Sequence, residues 1–274
     1  MPGGSIAKRH YSIYPKDQGR EAYEVAVLLE DSGRGGSRAL HASYCLGLRI
    51  NAANPANAFA LHDDAQPAVL IAGGIGITPI RAMAAELAAT GRSFEIHYAA
   101  RSRVEAAFAN SLQLDFGDRL HLYISDEGRR LDSARLVEQA SIDAVLYVCG
   151  PPSLIDAVRG AAQAAGISDE RVRVEHFVAA GLGLHERPVT LHLRHSGRRI
   201  EVTEQQTLLE ALEAAGIEAL SSCRVGTCGT CAVKVLAGVP DHRDQALSDD
   251  ERRRAGLMCV CVSRAISSAL TLDL

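Results

Sequence analysis

Cys223-Arg224-Val225-Gly226-Thr227-Cys228-Gly229-Thr230-Cys231 is the stretch whose chemistry decides the reading of the chain, with a further cysteine at Cys261. Three thiolates spaced C-x4-C-x2-C, followed by a fourth from a distant segment, match the ligand arrangement of a plant-type [2Fe-2S] cluster. Two irons must draw four thiolates from one wrapped loop and one remote strand. Gly226 and Gly229 let backbone amides approach the sulfurs, where they tune the reduction potential. Zinc is the competing reading of four cysteines, but zinc sites draw on C-x2-C knuckles and the first pair here is spaced by four. Cys259 lies two residues before Cys261, and an extended segment points both to the same side. Spacing alone leaves the fourth ligand open between them.

The 274 residues are enough for two or three domains, each with its own core. With 47% hydrophobic and 23% charged residues the composition is that of ordinary soluble globular chains. A net charge of −4, from 29 basic and 33 acidic residues, gives no electrostatic case for nucleic acid or an anionic membrane. The seven cysteines show no disulfide-like rhythm and most crowd the loop region, which favours a reducing compartment. Met1-Pro2-Gly3-Gly4-Ser5 lacks a charged and then apolar leader pattern, and no apolar run nears membrane-spanning length. The expected location is the cytoplasm.

Upstream of the cysteine loop, residues 68–72 form a continuous apolar run, followed by Gly73-Gly74-Ile75-Gly76 and a predicted helix at 80–89. Thr78 suits its N-cap and Pro79 its first turn. A glycine turn and a helix N-terminus at the carboxyl end of a strand is where a doubly wound sheet binds pyrophosphate. Apolar strands at 94–98, 120–124, 144–148 and 172–175 alternate with helical stretches near 104–111, 134–140 and 154–165, which predicts a parallel sheet covered on both faces. Residues 179–187, with Gly181 and Gly183, read as a linker.

Beyond it, strands at 189–195 and 199–202 flank the turn Ser196-Gly197. Leu208, Leu209, Leu212 and Ala215 recur at helical spacing before Gly216, and Ser248 to Glu251 fits a capping box. Strand, strand, helix and cysteine loop is the order of β-grasp ferredoxins. At the other end of the chain, Arg9-His10-Tyr11-Ser12 is followed by a strand at 21–29. That strand runs into Gly33-Arg34-Gly35-Gly36-Ser37, where amides and an arginine can cradle a phosphate.

Arg9 to Ser12, the glycine-rich turn, Gly73 to Pro79, Cys149-Gly150-Pro151-Pro152 and the cysteine loop with Cys261-Val-Ser-Arg-Ala265 occur in that order. Together they resemble the phthalate dioxygenase reductase-like family, reductase components of Rieske-type oxygenase systems similar to vanillate O-demethylase reductase. The resemblance implies a multidomain α/β and β chain. A truncated antiparallel flavin-binding barrel occupies 1–66 and a ferredoxin-reductase-like parallel-sheet NAD domain 67–178. After the linker, a β-grasp plant-type [2Fe-2S] ferredoxin domain occupies 188–274.

It also implies residue roles. Arg9 contacts the flavin phosphate, Tyr11 packs on the ring system and Ser12 lies near its reactive nitrogen. Arg34, Gly35, Gly36 and Ser37 hold the rest of the phosphate, which means FMN rather than FAD. Gly73, Gly74, Gly76, Thr78 and Pro79 fall at the pyrophosphate, Arg101 and Ser102 on the adenosine side, and Cys149, Gly150 and Pro151 on the nicotinamide side. Phe177 covers the flavin until nicotinamide displaces it, so Ser12, Cys149 and Phe177 are the expected catalytic group. Cys261 joins Cys223, Cys228 and Cys231 as the fourth cluster ligand. Asp241 to Asp244 also matches the family, its acids and His242 serving as loop and packing residues.

The implied activity passes electrons from NADH to FMN to the cluster and on to a terminal oxygenase acting on an aromatic or amine substrate. The flavin is needed because nicotinamide moves electrons in pairs and the cluster accepts one at a time. Arg101 and Arg103 leave NADPH open through a 2′-phosphate. Two departures stand out: Ala56 replaces a family arginine after Pro55, and the flavin motif begins at residue 9, ahead of which the family carries several barrel strands. The expectation is a start upstream of Met1. The competing readings are a flavin-free ferredoxin-like electron carrier or redox sensor, and a diaphorase without a protein partner.

Overall fold

The computed structural model describes residues 9–15, 22–30, 35–177 and 187–274. Arg34 and most of the expected linker, 179–186, lie outside the described residues. Two units divide the chain, Met1–Phe177 and Val178–Leu274.

The first unit begins with β1 (Ile13–Pro15) and β2 (Tyr23–Val25), an antiparallel pair, and the helix α1 (Gly36–Ser43). An alternating run follows: β3 (Ala68–Gly73), α2 (Ile77–Ala89), β4 (Phe94–Ala100), α3 (Ala109–Phe116), β5 (Leu120–Ile124), α4 (Ser133–Gln139), β6 (Val145–Cys149), α5 (Pro152–Ala164) and β7 (Val172–Glu175). The strands β3 to β7 are parallel, in the order β5-β4-β3-β6-β7.

Every residue of the central strand β3 is buried, which is why its sequence is an unbroken apolar run and not an alternation. Period-two geometry still divides it. Ala68, Leu70 and Ala72 pack with Ile77, Ile80 and Leu87 on one face, while Val69 and Ile71 pack with Leu136, Val137, Ile155 and Val158 on the other. Each fully buried Leu or Ile contributes on the order of 1.5–3 kcal/mol.

Three expectations are corrected here. α2 starts at Ile77 with Gly76 as its N-cap, so Thr78 lies inside the helix, its hydroxyl donating back to the Ile75 carbonyl at 3.0 Å. A 3₁₀ turn at Gly74–Gly76 feeds the helix directly and leaves no place for a threonine cap. The helix expected at 104–111 forms at Ala109–Phe116, because Phe108 is held at φ 62°. Its ring meets Tyr14 edge-on at 5.2 Å, and the Arg81 guanidinium sits 4.8 Å from both ring centres. Finally, of the strand expected at 21–29, only Tyr23–Val25 is in a ladder among the described residues, and Gly35 caps α1.

The second unit contains β8 (Val189–Leu193), β9 (Arg199–Val202), α6 (Leu208–Ala214), β10 (Ala232–Ala237), β11 (Pro240–Asp241), α7 (Asp249–Arg253), β12 (Leu257–Cys259), β13 (Arg264–Ala265) and β14 (Ala269–Leu272). Its main sheet runs β12-β10-β14-β8-β9, with β14 parallel to β8 and the other pairs antiparallel; β11 and β13 pair separately. A Thr207–Glu210 capping box starts α6, which buries Leu208, Leu209 and Leu212. The expected Ser248–Glu251 box starts α7.

Arg264, 1% exposed, clamps the segment after Cys261 by donating to the backbone carbonyls of Gln206 at 2.5 Å and Arg187 at 2.7 Å. A lysine keeps the charge but lacks the planar fork that serves several carbonyls at once. In full-length protein, Arg264→Lys is expected to lower the second unit's urea-unfolding transition by about 3 kcal/mol and leave the first unit's transition in place.

Candidate functional site

Two glycine-bearing turns meet at the carboxyl ends of β3 and β6. A Cβ on Gly76 would lie 2.1 Å from the Cys149 carbonyl oxygen, and one on Gly73 would lie 2.6 Å from Pro151 Cδ. Gly150 would meet Gly73 in turn at 3.0 Å. Only glycine lets these backbones touch. β3 leads on to β4 and β5 on one side, with β6 and β7 on the other, so the contact lies at the topological switch point, where open α/β sheets bind nucleotides. Gly74, at φ 54°, turns the chain toward α2, whose N-terminus follows directly after β3 at the same end of the sheet. Thr78 and Pro79 are buried beneath the turn and shape it from within.

Cys149 ends β6, fully buried, and its register partner on β7 is Glu175. Burial pushes the Cys149 thiol well up, and the neighbouring Glu175 carboxyl adds to the effect, so the thiol keeps its proton at neutral pH. Burial also raises Glu175 itself to about 7, and its Oε2 is buried without a hydrogen-bond partner among the described residues. Phe177, 37% exposed, follows two residues after Glu175. After β4, Ser102 Oγ accepts from the Glu105 amide at 3.3 Å. Arg103 is committed to Glu127 by a two-pronged pair, Nη2 to Oε2 at 3.1 Å.

Nearer the N-terminus, Arg9 packs on the start of α1. A Cβ on Gly36 would lie 2.9 Å from Arg9 Nε, and Gly35 caps the helix at φ 79° with no side-chain partner. Ser37 Oγ accepts from the Glu30 amide at 3.1 Å, and the His41 ring is 2.9 Å from the Val27 carbonyl, which fixes the helix against the segment after β2. A guanidinium beside uncapped helix amides is the chemistry a phosphate requires. The structure thus brings Arg9, Gly35, Gly36 and Ser37 together. Tyr11 and Ser12 lead directly into β1.

In the second unit the cysteine loop wraps around a buried carboxylate. Asp244 accepts from Ser263 Oγ at 3.2 Å, from the Leu247 amide at 3.0 Å and from Arg252 Nη2 at 3.2 Å. The Gln245 amide donates to the Gly226 carbonyl, and a Cβ on Gly226 would strike Val262 Cγ2 at 2.7 Å. Gly226 and Gly229 both have positive φ. Arg224, also at positive φ, is held there by a two-pronged pair with Glu213 of α6. Asp241 pairs with Arg243 at 2.6 Å within the same segment.

The segment expected to be extended around Cys259 and Cys261 turns instead. β12 stops at Cys259, whose carbonyl accepts from the Ser263 amide at 3.0 Å. Both thiols nevertheless reach Cys231, whose sulfur their hydrogen bonds pull down to about 3, while that shared bond and burial push Cys259 and Cys261 up. Burial pushes Cys223 up, but hydrogen bonds from Val225, Thr227 and Cys228 outweigh it and bring the thiol to about 7. Cys261 further receives a hydrogen bond from the Gly226 amide, which partly offsets the upward shift. Cys228 is exposed, giving the thiol group a solvent-facing edge. Four soft donors around a loop with inward amides suit an iron–sulfur cluster.

Sequence reasoning missed Glu175, because its meeting with Cys149 is set by long-range register, and Asp244 as the loop's anchor. The acid in a match to Asp241–Asp244 was visible; its burial was not.

Residues 191–265 match the 2Fe-2S iron-sulfur cluster binding domain family, and residues 48–172 match the dimethylamine monooxygenase subunit DmmA-like N-terminal domain family. The chain is 43% identical over 267 residues to the phenoxybenzoate dioxygenase subunit beta of Ectopseudomonas oleovorans, covering 97% of this chain and 83% of the relative. It is 41% identical over 274 residues to the heme-dependent oxidative N-demethylase beta subunit of Ectopseudomonas mendocina, covering 100% of this chain and 86% of the relative. The solved structure of phthalate dioxygenase reductase, described as a modular structure for electron transfer from pyridine nucleotides to [2Fe-2S], is similar with a TM-score of 0.71. Its identity is 35%, over 100% of this chain and 85% of that one. No helix among the described residues is long and apolar enough to cross a membrane.

The Glu175 shift has a stability consequence. Its folded pKa of about 7 lies above the ordinary 4.5, so the folded state holds the proton more tightly and stability falls as pH rises through that window. Between pH 5 and pH 8 the loss is roughly 2–3 kcal/mol. Glu175→Gln keeps the shape without the charge. Urea unfolding of the first unit is expected to lose that much more stability in the parent than in the variant across this range.

Proposed function

Since the chain belongs to the phthalate dioxygenase reductase-like family of oxygenase-system reductases, we propose that it is an NADH-dependent reductase passing electrons through FMN and a [2Fe-2S] cluster to a partner oxygenase. It is an oxidoreductase working with a pyridine nucleotide, a flavin and a [2Fe-2S] cluster. The observation that carries the finer reading is one chain holding both a glycine-locked nucleotide crevice and a loop of convergent thiols. When bound, the flavin accepts an electron pair from the nucleotide and hands single electrons to the cluster.

The protein's work is positioning. Arg9 and the amides of Gly36 and Ser37 hold the flavin phosphate, and with Arg34 they favour FMN, whose phosphate is terminal. Tyr11, Ser12 and Phe177 frame the ring. Gly73, Gly74 and Gly76 admit the pyrophosphate to the start of α2, with Thr78 and Pro79 fixing the turn. Cys149, Gly150 and Pro151 form the floor for nicotinamide. The buried Cys149 thiol stays protonated and therefore does not attack the ring. Arg101 and Ser102 face the adenosine, and the pairing of Arg103 with Glu127 removes one cation from the set that would hold a 2′-phosphate, which favours NADH.

Cys223, Cys228, Cys231 and Cys261 are the cluster ligands. Cys261 is preferred over Cys259 because the Gly226 amide of the cysteine loop also donates to its sulfur. Electrons leave for a partner oxygenase. A Rieske-type partner is the expectation; the haem-dependent N-demethylase named among the relatives makes a haem oxygenase the other acceptor class. The reducing cytoplasm suits the free thiols.

Visible spectra of anaerobically purified protein, before and after NADH, test this reading. Flavin and cluster bands that bleach with NADH, with FMN as the flavin released, are expected. Cluster bands without flavin, or bleaching by NADPH alone, would overturn it. In the same assay Cys261→Ser should abolish the cluster bands and Cys259→Ser retain them; the reverse would exchange the two assignments.

A further inference from the structure

One cluster of metal-ligating side chains in the first unit is used by nothing described above. Glu95, His97 and His121 bring three donor atoms within 4.8 Å of one another. Two residues apart on β4, Glu95 and His97 project from one face. The parallel register then sets His121, on the edge strand β5, directly opposite His97.

Two of the donor separations fit a coordination shell, one of them also a hydrogen bond between Glu95 and His97. Glu95 Oε2 is 3.2 Å from His97 Nε2 and 3.5 Å from His121 Nε2. Bonds of about 2.0–2.1 Å to a tetrahedral ion place donor atoms about 3.3 Å apart. The two imidazoles stack 4.7 Å apart at 22°, so a shared ion requires the half-exposed His121 ring to rotate out of the stack. His97 is 9% exposed, and its other nitrogen, Nδ1, lies 3.0 Å from the Tyr123 hydroxyl. A hydrogen bond at the far nitrogen is what orients a ligating imidazole and fixes its tautomer. Glu95 and His121 are about half exposed, which gives an ion a path in. Beside them, Glu95, His97 and Tyr123 line a cavity of about 320 Å³, shared with Arg130, Asp132 and Arg135.

We propose that Glu95, His97 and His121 bind a divalent transition cation, with Zn²⁺ the best match to two imidazoles and a carboxylate. Three protein ligands leave the fourth position to solvent, as in open zinc sites. The site differs from the thiolate loop in chemistry as well as place: its donors are nitrogen and oxygen, and it ties the edge strand β5 to β4.

Equilibrium dialysis of the full-length holoprotein, cluster assembled, against Zn²⁺ alone tests this. One equivalent per chain is expected at micromolar free zinc, with the cluster bands unchanged throughout. His121→Ala, a half-exposed position whose loss the fold tolerates, is expected to weaken that equivalent at least tenfold. His195→Ala, at an exposed histidine 3.2 Å from Asp273 in the second unit, is expected to leave it intact. No uptake by the parent, equal uptake by His121→Ala, or uptake that tracks loss of the cluster bands would each overturn the proposal.

Discussion

Backbone touching backbone at Gly73, Gly76 and the Cys149–Gly150 peptide is the constraint on which the first unit depends. A side chain at any of these glycines would drive β3 and β6 apart where their turns must share a crevice. The continuous apolar face of the sheet supplies the force that holds them together, and the absence of Cβ atoms sets how near they come. Everything placed at that end of the sheet inherits its position from this contact, including the buried thiol of Cys149 and the carboxyl of Glu175 beside it.

The second unit solves its own close-approach problem with charge. A small unit has little core to give a metal loop, and here the loop is wound around one buried carboxylate, Asp244, that gathers donors from Ser263, Leu247 and Arg252. Arg264 performs the complementary task with carbonyls. A buried ion left with one partner removed costs several kcal/mol, so both residues tolerate little change even though neither is a ligand. The thiols can therefore converge without the loop collapsing on itself.

Much of this was legible in the sequence where local pattern and tertiary demand coincide. The unbroken apolar run of β3 can only be a strand buried on both faces, and the cysteine spacing leaves few chemistries. The capping box read at Ser248 to Glu251 formed, and the structure adds a second at Thr207 to Glu210. Legibility failed where distant contacts overrule local signals. Apolar residues from Val104 suggested a helix, yet Val104 is exposed and the ring of Phe108, seated against Tyr14 and Arg81, delays the helix to Ala109. Thr78-Pro79 advertised a helix start that Gly76 had already supplied. The pairings of Cys149 with Glu175 and of His97 with His121 belong to sheet register, which no stretch of sequence records by itself.

The stack of Tyr14, Arg81 and Phe108 ties β1 to the first turns of α2. Arg81 is only five residues beyond Gly76, so this clamp sits on the same short lever arm that opens the glycine turn. With α2 at one end of this clamp and β1, which continues from Tyr11 and Ser12, at the other, the two segments are held at a set spacing.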